Sequence, residues 1–149
     1  MKLAIIAILV FFVSATLHAE PVWLYGFTCE GGDTYEFTIS REQYDKQPTI
    51  HIGPQELPIS PGTAAKIAFD AIKPLLPPDQ FSRLRCGDIQ IHQIPNPDSG
   101  NLAVNTKRWY YHVSFRTDAG ETFMTPSILY DRVLVLMDGR PVLLKKKNG

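Results

Sequence analysis

No charge of either sign dominates this chain: 15 Lys and Arg stand against 15 Asp and Glu. Nucleic-acid binders gain most of their affinity by neutralising phosphates and carry a basic excess, so that class is set aside. The chain also lacks an apolar run of the roughly 20 residues that span a bilayer. Its longest such stretch, Leu3 to Leu17, is interrupted at Ser14 and Thr16. There is no G-x-S-x-G elbow and no H-E-x-x-H pair, which removes the usual signatures of serine hydrolases and zinc peptidases. Nothing in the sequence asks for a cofactor. Cysteine is scarce, with only Cys29 and Cys86.

What is present begins with an export signal. Lys2 supplies a positive start, Leu3 to Val13 is unbroken apolar sequence, and Ser14 to Ala19 turns small and polar. This is the pattern of a secretory signal peptide over residues 1–19, with cleavage after Ala19. Leu17 is bulkier than the residue usually found three places before such a cut, and an uncleaved anchor is the alternative. No cysteine lies at the cleavage point, as a lipoprotein would require. The expected localisation is therefore secreted or periplasmic, without stable membrane insertion once the signal is gone. The remaining 130 residues suit one domain, expected over 20–149.

An even number of cysteines in an oxidising compartment points to a Cys29–Cys86 disulfide. Closing that 57-residue separation is worth about 4 kcal/mol in the chain-entropy picture. Two free thiols are the alternative.

The secondary-structure pattern is α+β. Val22 to Thr28 and Thr34 to Ser40 are strand-like runs around Gly31-Gly32 and predict an N-terminal β-hairpin. Arg41 to Pro58 reads as loop, with a short edge strand around Thr49 to Ile52. Ser60 then caps a helix that Pro61 opens. Ala64, Ile67, Ala68, Ala71, Ile72 and Leu75 form one apolar stripe along it, until Pro74, Pro77 and Pro78 stop it. Asp79 to Arg85 is expected to form another short turn of helix.

Strands follow. Asp88 to Ile94 is one, and after a Pro- and Asn-rich loop (Pro95 to Lys107) Arg108 to Thr117 is the clearest. Its Trp109, Tyr111, Val113 and Phe115 face one way, and Arg108, Tyr110, His112, Ser114 and Arg116 the other. Asp118 to Gly120 turns into Glu121 to Thr125. Val133 to Met137 is an apolar strand, and Asp138-Gly139 turns it into Val142 to Leu144, with a polar lysine tail beyond. One main helix lying across an antiparallel sheet of about four strands satisfies this order. Its small-residue stripe should cover the Trp109–Phe115 face.

From Ser60 to Leu144 the chain resembles a PepSY-type module within the cystatin-like α+β architecture. The residues carrying the likeness are S-P-G-T-A-A-K-I-A in the helix, the strand W-Y-Y-H-V-S-F, the D-A-G-E turn and the final V-L-V-L-M-D-G-R-P-V hairpin. The resemblance implies an exported domain that binds or inhibits peptidases and has no invariant catalytic residues. The long Pro95 to Lys107 loop and the N-terminal hairpin depart from the pattern.

Candidate sites follow from residue type. The Arg108, Tyr110, His112 and Arg116 face, joined by Gln90 or His92, carries the Tyr and Arg enriched at binding hot spots. A solvated sheet face has the same composition. Tyr130-Asp131-Arg132 and Lys145 to Lys147 are further contact candidates. Of the histidines beyond the leader, His51, His92 and His112, the last two could meet across paired strands, although two imidazoles do not make a metal site. The functional expectation is an exported non-catalytic module binding a protein, a peptide or a small ligand through an open sheet face. A small metal-dependent or hydrolytic enzyme using His92 and His112 is the alternative, and a structural component of an envelope assembly is another.

Overall fold

The computed structural model describes residues 20–50, 57–98, 107–117 and 131–147. The signal segment, His51, the Glu121 to Thr125 strand and parts of both long loops lie outside the described residues. The chain runs β1 (Val22–Thr28), β2 (Thr34–Ile39), α1 (Arg41–Asp45), α2 (Pro61–Ile72), a short 3₁₀ turn (Lys73–Leu75) and α3 (Pro78–Ser82). It continues through β3 (Leu84–Gln93), β4 (Trp109–Thr117), β5 (Arg132–Leu136), β6 (Pro141–Val142) and β7 (Lys145–Lys146). Two antiparallel sheets result, ordered β3-β4-β5-β6 and β1-β2-β7. The α+β class, the main helix, the four-stranded sheet and the N-terminal hairpin are as the sequence predicts.

Helix α2 starts where its cap chemistry says it should. The Ser60 hydroxyl accepts from the Thr63 amide, and Pro61 sits in the first turn, where a missing N–H costs nothing. Ala64, Ala68 and Ile72 are fully buried against Tyr111, Val113, Phe115, Val133, Val135 and Met137. Alanine at the contact lets the helix backbone come close to the sheet. Tyr111 reaches past it, and its hydroxyl donates to the Ile59 carbonyl at 2.9 Å. Trp109 packs at the border of this cluster, partly buried.

The opposite face of the same sheet is not open. Tyr110, Leu134 and Leu136 are buried against Val22, Leu24, Phe37, Ile39 and Tyr44, so the N-terminal hairpin and α1 form a third layer. Strand β5 is therefore covered on both sides, which is why Val133 to Met137 is apolar without alternation. The turn after β5 is made by Gly139, whose φ of +85° suits a residue without a Cβ.

Three expectations need correction. First, the Cys29–Cys86 bridge is not formed: both cysteines are free. Cys86 packs with the α2-side cluster and Cys29 lies in the hairpin turn beyond the opposite face, so the sheet stands between them. Second, α1 occupies part of the expected loop. It is held by a capping box in which Ser40 and Gln43 bond reciprocally. Third, the lysine tail is not free: Lys145 and Lys146 pair with Glu36 and Tyr35 as β7, and Lys146 Nζ lies 2.8 Å from Asp33.

Candidate functional site

The binding face expected on alternate residues of β4 is divided by the hairpin into four different environments. Tyr110 is only 4% exposed, and its hydroxyl points to the Leu24 carbonyl at 3.4 Å. Arg108 lies over the Tyr44 ring at 4.4 Å and donates to the Gln47 and Asp45 carbonyls, so it fastens the end of α1. Arg116 is exposed beyond the hairpin, opposite Arg85. Of the four, His112 lines a cavity.

That cavity, of about 170 Å³, is bounded by Asp88, Gln90, His112, Ser114 and Arg132. Strand register places them. Gln90 pairs with His112, and Ser114 pairs with Arg132. The β3 register shifts between Cys86 and Ile89, and this bulge turns Asp88 in beside Ser114. The Ser114 hydroxyl accepts from the Asp88 amide (2.8 Å) and donates to its carbonyl (3.3 Å). Gly87 is required at the bulge, since a Cβ there would lie 2.9 Å from Ser114 Oγ.

The hairpin packs against two of these residues. Tyr25 stands 5.5 Å from the His112 ring, and the Arg132 guanidinium lies 4.9 Å from the Phe27 centroid. Arg132 donates through Nε and Nη2 to Asp131 and through Nη1 to the Tyr25 hydroxyl at 3.0 Å. Of the five guanidinium N–H groups, these bonds leave two. The hydrogen bonds to Asp131 hold the guanidinium charged in spite of its burial.

His112 is the opposite case. Burial, helped by the charge of Arg132 and by His92, lowers its pKa to about 4, so the ring is neutral near pH 7. Its Nε2 is buried and has no hydrogen-bond partner among the described residues. Buried polar atoms are nearly always paired, so this unpaired nitrogen, in a residue that lines the cavity, is an exception.

The structure does bring His92 and His112 together, with ring centroids 5.7 Å apart. His92 stacks on Tyr110 at 5.6 Å and its Nε2 lies 3.2 Å from the Gln90 side-chain oxygen. Among the described residues no group of three or more His, Cys, Asp and Glu gathers around them. Ser114 is engaged by Asp88 rather than by an imidazole, so it has no base to take its proton. Burial, together with Asp88, raises the pKa of the Cys86 thiol and keeps it protonated.

Sequence reasoning placed His112 and Gln90 on one face and marked Arg132 as a contact candidate. It did not mark Asp88, which alternation puts on the face of Gln90 but which only the bulge sets beside Ser114. It also missed the hairpin's part. No helix of the described residues is long and apolar enough to cross a membrane. Comparison with known proteins gives no match: neither a family model, nor a curated protein, nor a solved structure is similar to this chain.

Proposed function

We propose that this protein is an exported, non-catalytic binding module whose pocket takes a small ligand bearing a carboxylate. The observation that carries the reading is that a half-buried Arg132, with two N–H donors to spare, and His112, a neutral imidazole with an unpartnered Nε2, line one cavity. A guanidinium and a neutral imidazole N–H are the donors a carboxylate accepts from. Asp88 and Gln90 on the β3 side add an acceptor set, which suits an amino or hydroxyl group next to that carboxylate. The volume bounds the ligand: about 170 Å³ is the liquid share of about six waters, well below the space a large cofactor needs.

Among the described residues Ser114 is engaged by Asp88 and Cys86 is held protonated, which favours binding over turnover. The signal-like N-terminus supports a ligand met outside the cytoplasm. Titration of the labelled protein with glycine, lactate and acetate, followed by amide NMR, tests the reading. Shifts are expected at His112, Ser114 and Gln90, with glycine and lactate tighter than acetate. Arg132→Gln should weaken binding by about tenfold, the loss of one charge-assisted contact. Arg116→Gln, outside the cavity, should leave it unchanged. Equal binding by the Arg132 variant, or no shifts with any of the three, sinks the proposal.

A further inference from the structure

Strand β3 ends the four-stranded sheet, and among the described residues no strand pairs with its outer side. Its ladder can be read outward from one bond. The Ile94 amide donates to the Arg108 carbonyl at 2.8 Å, so Ile94 and Arg108 form a hydrogen-bonded pair. Alternation then turns the N–H and C=O groups of Gln93, Ile91 and Ile89 away from β4. Sheet edges are normally protected by lysine, proline or inward charge. From Ile89 to Gln93 this edge has none of these, and Ile91 is 42% exposed.

From this we infer that β3 pairs antiparallel with β3 of a second copy, with the two-fold axis at Gln90, joining the two sheets into one. That register makes Ile89 and the partner's Ile91 a hydrogen-bonded pair, twice over by symmetry. It sets isoleucine against isoleucine on the α2 side of the sheet. On the other side it sets Asp88 against the partner's His92, a carboxylate acceptor facing an imidazole that can donate to it across the strands. A two-fold axis at Ile91 would instead put Asp88 opposite Ile94, a carboxylate against a residue buried in the hairpin cluster. The Gly87–Asp88 bulge ends the ladder, so the paired stretch runs from Asp88 to His92 of each copy. The contact also changes the pocket: the partner's His92 comes to stand beside Asp88 at its mouth, so each copy adds a residue to the other's cavity.

This inference does not depend on the ligand reading, and the first arm of its test uses Ile91, on the other face of the sheet from the pocket. Sedimentation of the purified full-length protein from micromolar to millimolar concentration should show a monomer–dimer equilibrium. Ile91→Lys, an exposed position, should raise the dimer dissociation constant by at least about tenfold, or about 1.4 kcal/mol, with an unchanged circular dichroism spectrum. Gln90→Cys, in a background with Cys29→Ser and Cys86→Ala, should cross-link to a dimer under mild oxidation, and Gln93→Cys should not. A monomer at every concentration overturns the inference. So does a dimer that is indifferent to Ile91→Lys, or one in which Gln90→Cys fails to cross-link.

Discussion

His112 connects the pocket to the stability of the whole fold. In the unfolded chain an imidazole titrates near 6.5, whereas in the folded protein burial and the Arg132 charge lower this to about 4. Between those values the unfolded state holds more protons, so stability rises with pH across this window. The contribution is complete above pH 6.5, falls as the pH drops toward 4, and does not change further below that. Because the ring keeps some solvent contact, screening reduces the effect to about 1–2 kcal/mol. Urea unfolding at pH 7.5 and pH 4.5 should therefore show a steeper acid loss for the wild type than for His112→Gln. Identical slopes would mean that the ring is not buried in this way. Such a role is invisible in the sequence, because His112 and Arg116 read alike as polar positions of one alternating strand. Only the hairpin, whose Tyr25 ring lies against His112, covers one and leaves the other in solvent.

Among the elements, α2 was the most legible, since its cap, its first-turn proline and its alanine stripe all signal the same structure. The stripe also explains its tolerance limits. Ala68 has no exposed surface against the sheet, so Ala68→Leu should cost about 1–3 kcal/mol through overpacking. Lys66→Ala, which removes an exposed pair with Asp70, should cost no more than about 0.5 kcal/mol. Thermal unfolding of the two variants checks the contrast, and equal losses would mean that the helix does not sit tightly on the sheet. Helix α1 carried its own sign in Ser40-x-x-Gln43, but its charged residues and the nearby Pro48 resemble a loop. Strand β7 carried none. Two lysines become a strand because the β2 edge offers them hydrogen bonds and Asp33 offers a counter-charge.

At the scale of the molecule, the hairpin is a structural layer rather than an appendage. Removing residues 20–40 would uncover Tyr110, Leu134 and Leu136, which are at most 4% exposed in the intact fold. The shortened protein should lose dispersed amide NMR signals and bind a hydrophobic dye. Phe37→Ala, which keeps the hairpin but empties its fully buried anchor, should cost about 3–5 kcal/mol. A truncated chain with native-like spectra would show that the third layer is dispensable. The class, the main helix and the stretches that form the principal strands were determined by local chemistry: the period of apolar residues, the caps and the glycine turns act within a few positions. What covers the second face of β4, whether two cysteines meet, and which polar residues share a cavity depend on contacts between segments far apart in the chain. The unbroken apolar run of β5 hinted at burial on both sides. The identity of its second cover was settled only in three dimensions, because burial is a property of the assembled layers and no single segment carries it.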